Sequence, residues 1–183
     1  MSEKDYQRIV FMKYGVHGSE NPVDIIKRKQ NEIIQEGICF WGYGGSLCHP
    51  IKQIHPFVEE NYKNGFDTFA LMQFTKSKHR GDSKLARYFS IDNSVWKELP
   101  KNVNVYSSKY ALCFSEIKIC AFDLNMNDYM VAAGPSSGCI LSEYIRFRVD
   151  KACASRRYVN VDNNNVLISL SCKLSPPYAV FIK

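Results

Sequence analysis

From Phe66 onward the chain consists of short runs rich in β-branched and aromatic residues, separated by Asn, Asp, Gly, Pro and Ser. Phe66–Thr75, Ala86–Asp92, Val103–Tyr106, Tyr110–Phe114, Ile117–Leu124, Tyr129–Ala133 and Tyr178–Ile182 read as strands, because such side chains suit a pleated, half-buried surface. Tyr158–Val161 and Val166–Cys172, joined by Asn163-Asn164-Asn165, read as a hairpin. Strands that follow strands, with few helices among them, specify a largely antiparallel sheet. The remaining elements lie mostly earlier. Arg8–Val16 and Ile38–Gly42 are strand-like, and a second, shorter helix spans His55–Asn64 and stops at Gly65.

The clearest helix lies between the first two strands. Asn21 is suited to cap it, Pro22 to occupy its first position and Gly37 to close it, with Asp24 in the first turn. Ile25, Ile26, Ile33 and Ile34 mark its apolar side, and Lys27, Arg28 and Lys29 crowd its first half. Ile140–Ala154 supports two readings. Leu141, Ile145, Val149 and Ala152 fit a helical stripe, whereas Tyr144–Val149 alternates like a strand; the helix is the reading adopted. The expectation is an α+β fold, a single domain over residues 1–183 with a mostly antiparallel sheet and two or three helices. At 183 residues the chain can bury a sizeable core without disulfide or metal staples.

Seven cysteines at irregular spacing, an odd number without any Cys-x-x-Cys pair, argue against a secreted disulfide framework, a zinc ribbon and a thioredoxin motif. The polar start, Met-Ser-Glu-Lys-Asp, lacks the apolar core of a signal peptide. The uncharged stretch from Gly37 to Ile51 is interrupted by Gly42, Gly44, Gly45 and Pro50, which excludes it as a membrane helix. A reduced, cytoplasmic protein with no membrane partner is expected.

Lysine and arginine outnumber acids by 24 to 18, so the net charge of +6 favours anionic partners. Seven of the basic residues fall between Arg146 and Lys183, against only Asp150 and Asp162. Three Gly/Ser segments accompany them: Gly15–Ser19, Gly42–Ser46 and Gly134–Gly138. Glycine lets backbone N–H groups approach a phosphate, serine hydroxyls can donate to it, and a following helix adds a partial positive charge. Phe40, Trp41 and Tyr43 beside the middle segment offer aromatic faces for a base, Trp41 and Tyr43 above all. The candidate ligand-binding residues are Ser19, Trp41, Tyr43, Gly44, Gly45, Ser46, His49, Ser136, Ser137, Arg146, Arg148 and Lys151. Cys48, His49 and His55, even with Cys39, match no zinc spacing, and no acid is evident to orient a Cys48/His49 pair. No metal and no cofactor are expected.

One family pattern runs in the same order along the chain. His17-Gly18-Ser19, the helix after Asn21, Gly42–Ser46 and Ser142-Glu143-Tyr144-Ile145 together resemble ADP-ribosyltransferases. The resemblance implies that His17 and Ser19 hold the adenosine side of NAD and that Glu143 orients transfer at the nicotinamide ribose. His17 and Glu143 would then be the catalytic residues, with NAD as cofactor.

The leading expectation is a protein that binds a small anionic nucleotide-type ligand without turnover. A cyclic nucleotide or an ADP-ribose-derived signal would fit, sequestered as some viral counter-defence proteins do. The alternatives are an NAD-consuming enzyme and a basic nucleic-acid-binding module using Lys76–Arg87 and Arg146–Arg157; a homo-oligomer is compatible with any of them. The leading reading expects the three Gly/Ser segments to meet at one cleft and fails if they lie on separate faces.

Overall fold

The computed structural model describes residues 6–17, 20–45, 47–79, 84–106, 108–146, 149–157 and 162–183. Strand β1 (Arg8–His17) leads through α1 (Pro22–Glu36) to β2 (Cys39–Tyr43). A π-helical turn (Pro50–Ile54) opens into α2 (His55–Lys63), followed by β3 (Phe69–His79), β4 (Tyr88–Ser90), β5 (Lys97–Glu98) and β6 (Tyr110–Asn125). The chain ends with β7 (Tyr129–Val131), α3 (Leu141–Tyr144), β8 (Lys151–Arg156) and β9 (Asn165–Ile182). Among the described residues these strands form one sheet in the order β2-β6-β9-β3-β1-β8-β7, with β4 on β9 and β5 on β4. Only β1 and β3 pair in parallel; the other pairings are antiparallel. The expected α+β class, sheet-rich and mostly antiparallel, is what forms.

Both faces of the interior strand β1 are buried. Val10, Met12 and Tyr14 of β1 join a cluster with Ile25 and Ile26 of α1 and Phe57 and Val58 of α2. Ile9 and Phe11, pointing the other way, pack with Leu71, Met126, Tyr129 and Leu141. This alternation is the two-residue period of a strand, here sandwiched between helical elements. A third cluster around Phe40, Val103, Val105 and Val180 fills the space beneath residues 99–105.

The sheet curls. In a flat sheet β2 would stand four spacings from β1, about 19 Å at ~4.8 Å per strand. Instead Trp41 of β2 meets Tyr14 of β1 at 6.0 Å between ring centroids, and Lys151 of β8 reaches the carbonyl of Gly44 just after β2, 3.3 Å away. That closure brings residues distant in both sequence and strand order around one hollow.

Helix α1 ends as its sequence indicates. The Asn21 side chain accepts the Asp24 N–H at 3.1 Å, and Gly37 adopts the left-handed conformation at φ 74° while donating to the Ile33 carbonyl at 2.8 Å. The buried stripe differs from expectation. Ile34 is 79% exposed, and the helix buries Lys29 and Glu32 beside Ile25 and Ile26. Nine residues at 3.6 per turn place Ile34 about 180° from Ile25, so helical geometry overrides its hydrophobicity.

Several boundaries also change. The expected helix over Ile140–Ala154 is one turn, Leu141–Tyr144, and Lys151–Arg156 is strand β8 between β1 and β7. Strand β1 has one edge covered by β3 and needs a partner on the other. Ala152, Cys153 and Ala154, at most 3% exposed, are small enough to fit there despite alanine's helix preference. Tyr110–Phe114 and Ile117–Leu124 merge into β6 with register shifts between them. Ala86–Asp92 shrinks to Tyr88–Ser90, and Val103–Tyr106 is not a strand at all. Val166–Cys172 and Tyr178–Ile182 are two parts of β9; the proposed hairpin arm at residues 158–161 lies outside the described residues.

Candidate functional site

The pairing of β1 with β3 shifts register between Tyr14 and Val16. Beyond this irregularity, His17 and Glu20 exchange backbone hydrogen bonds of 3.3 and 3.1 Å, which turns the chain into α1. The Glu20 carboxylate thereby meets the fork of Arg28, with Nε–Oε1 at 2.9 Å and Nη2–Oε2 at 2.7 Å. These hydrogen bonds hold the Glu20 carboxyl below its ordinary pKa.

A buried charge cluster continues from there along α1. Arg28 also donates to Glu32 at 3.2 Å and to the Asn104 carbonyl at 2.8 Å. Lys29, 3% exposed, donates to both Glu32 oxygens at 3.0 and 2.9 Å and to the same carbonyl at 2.6 Å. Glu32 accepts the Asn104 N–H at 3.1 Å, and Glu36 accepts from Asn102. This explains why Val103–Tyr106 is not a strand: side chains of α1 satisfy the backbone of Asn104 in place of a neighbouring strand. Burial lowers the Lys29 pKa despite the adjacent Glu32. Burial also opposes the charge of Arg28, but its bonds to Glu20 and Glu32 raise its pKa overall.

Opposite this wall stand Trp41 and Tyr43, 6% and 3% exposed. Both belong to β2 rather than to a loop, and Tyr43 donates to the Cys48 carbonyl. Burial raises the Tyr43 phenol well above its usual pKa. Gly42, read from sequence as part of a phosphate loop, serves packing. A Cβ there would lie 2.5 Å from Ser108 Oγ and 2.8 Å from Val105 Cγ1. Gly42→Ala should therefore push Val105 and Ser108 away from β2, with a loss of about 1–3 kcal/mol, as overpacking generally gives; urea denaturation measures it, and an unchanged midpoint would refute the packing role.

The third side is supplied by β1 and β8. Lys151 pairs with Asp150 and lies 5.6 Å above the Tyr43 ring. Lys13 donates to the carbonyls of Ile145 and Val149 at 2.9 and 3.4 Å; burial lowers its pKa, and Asp150 partly opposes that shift. Together these walls enclose a cleft of about 280 Å³, near the lower end of the range for small-molecule sites. Four cations (Lys13, Arg28, Lys29, Lys151) and two carboxylates (Glu20, Asp150) line it, with Tyr14, Trp41, Tyr43 and Tyr106.

Of the residues singled out from sequence, His17, Trp41, Tyr43, Gly44 and Lys151 meet at this cleft. Ser19, Ser46 and Arg148 lie outside the described residues. Gly45 has φ 83° and is exposed, without lining the cleft. His49 does not line it either: its ring packs on Tyr110 and Phe181. Arg146 is exposed after α3. The third Gly/Ser segment is elsewhere, closed on itself and on β7 by bonds from Ser137 to Gly134 and from Gly138 to Val131. Ser136 and Ser137 therefore do not join the other two segments, and only those two converge. Glu143 sits on α3, exposed and not lining the cleft, so it does not face His17 across it.

Sequence reading missed Lys13, Glu20, Asn104, Tyr106 and Asp150. One signal was present: Lys29 and Glu32 occupy the same helix face as Ile25, a position where charged residues need a partner. Among the described residues, no group of three or more His, Cys, Asp or Glu side chains is placed to hold a metal. All seven cysteines are free thiols, and no helix among the described residues is long and apolar enough to cross a membrane. Compared with known proteins, the chain matches no protein-family model, no curated protein and no solved structure.

Proposed function

We propose that the cleft binds a small phosphorylated nucleotide-type ligand and holds it without turnover. Only two of the three Gly/Ser segments meet at the cleft, so the reading does not rest on a three-segment phosphate cradle. The observation that carries it is the convergence of Tyr14, Trp41, Tyr43 and Tyr106 with Lys13, Arg28, Lys29 and Lys151 around one hollow. Aromatic faces stack on any base, and a cationic lining favours phosphate. The local excess of cations over carboxylates also suits a small anion better than an extended polyanion. Free thiols agree with a reducing compartment, and we place the protein in the cytoplasm.

A thermal-shift panel of mono-, di- and cyclic nucleotides, with NAD and ADP-ribose, tests the reading. A ligand at a hundred times its Kd stabilises the folded state by about 2.7 kcal/mol. For a chain of this size that raises Tm by roughly 5–10 °C. A panel that leaves Tm unchanged overturns the proposal. Chromatography of the bound ligand adds the second arm: recovery intact supports sequestration. NAD breakdown that is lost in Glu143→Gln would instead favour ADP-ribosyl transfer.

A further inference from the structure

The cations around the cleft already have internal partners, so an incoming anion must exchange with one of them. Glu20 and Asp150 are the carboxylates that line the cleft, and they are held very differently. Glu20 makes two bonds to the Arg28 fork and is tied by its backbone to His17. Among the described residues Asp150 makes one ion pair, to Lys151, and its side chain is 36% exposed while that of Lys151 is 6% exposed. Asp150 is the carboxylate that can leave.

The two lysines beside it are fixed by the sheet. Met12 pairs with Lys151 across β1 and β8, and the Lys13 N–H donates to the Asp150 carbonyl at 2.7 Å. Lys151 is further anchored by the Gly44 carbonyl at 3.3 Å and by the Tyr43 ring. An anion replacing Asp150 would find the Lys151 ammonium held in place beside the aromatic wall, while the Lys13 ammonium is engaged by the carbonyls of Ile145 and Val149.

Resting on the nucleotide reading of the cleft, we propose that Asp150 is an internal stand-in for the ligand's phosphate, which displaces it from Lys151, and that the ligand carries a terminal phosphate monoester. The charge arithmetic selects the monoester. A phosphodiester carries one negative charge, like the carboxylate it would replace, so the exchange gains little. A phosphate monoester carries about −1.5 to −2 at pH 7 and offers three acceptor oxygens. It can therefore pair with Lys151 more strongly than Asp150 does. Cyclic nucleotides become the weaker ligands.

Titration calorimetry on the full chain tests this with the four ribonucleoside 5′-monophosphates, their 3′,5′-cyclic phosphates and the uncharged nucleosides. The 5′-monophosphate should bind about tenfold more tightly than the cyclic form of the same nucleoside. Asp150→Asn should tighten both phosphates about fivefold, as expected for removal of one partly exposed ion pair, and leave the nucleosides unchanged. Lys151→Met should abolish the advantage of phosphate over nucleoside; Lys151→Gln gives the same readout if Lys151→Met does not fold. Phosphate binding that is unchanged or weaker in Asp150→Asn overturns the inference, as does a cyclic form that binds as tightly as the monoester. In those cases the nucleotide reading survives. If neither wild type nor Asp150→Asn binds any nucleotide, that reading falls as well.

Discussion

Glu32→Ala is expected to destabilise the protein by about 3–5 kcal/mol, the range for breaking a buried ion pair by removing one partner. Glu32 is 2% exposed and meets Lys29, Arg28 and the Asn104 N–H at once. Without it, the Lys29 ammonium stays buried with only a carbonyl to bond, and the Asn104 N–H loses its acceptor. Such a loss is a fifth or more of the total stability of a typical domain. Urea denaturation should show a lower midpoint, and hydrogen exchange at Asn104 should accelerate beyond what global unfolding accounts for. The double change Lys29→Met with Glu32→Leu should recover much of the loss, since apolar replacements of a buried pair are often neutral or better. An unchanged midpoint in Glu32→Ala would mean that the cluster does not hold the cleft wall.

Trp41→Ala should be comparably severe, at about 3–5 kcal/mol for deletion of a buried tryptophan. The indole packs edge-on to Tyr14 at 6.0 Å and lies 6.5 Å from Phe114. It thus joins strands on opposite sides of the curl, and truncation leaves a void that the sheet cannot close without changing its curvature. Trp41→Phe keeps the wall and should lose well under half as much. Calorimetry separates stability from recognition: nucleotide affinity should fall in Trp41→Ala even where the variant is fully folded. Trp41→Ala that binds as tightly as wild type would remove the aromatic wall from the proposed site.

Local chemistry was legible where it is complete within a short segment. Asn21, Pro22 and Gly37 define α1 because cap, first-turn and C-terminal preferences are satisfied by neighbours in sequence. Ile34 was misplaced because hydrophobicity was read without its angular position. Trp41 and Tyr43 line the cleft from β2, although the glycines beside them suggest a loop. Gly42 belongs to β2, where it leaves room for Ser108 and Val105. A glycine that permits close packing and one that cradles an anion look the same in a sequence.

The excess of β-forming runs and a few capped helices determined, from sequence alone, an α+β fold with a mostly antiparallel sheet. Which strand neighbours which was decided by the tertiary structure. Lys151–Arg156 became a strand because β1 offered an open edge, and Val103–Tyr106 is not one, with α1 side chains satisfying the backbone of Asn104. The cleft is likewise a product of closure: the curl of the sheet brings Lys13, Trp41, Tyr106 and Lys151 together from four separate segments. Capping and side-chain alternation act over a few residues and are written locally. Curvature and edge pairing depend on backbone groups and packed side chains far apart in the chain, so only the folded molecule determines the site.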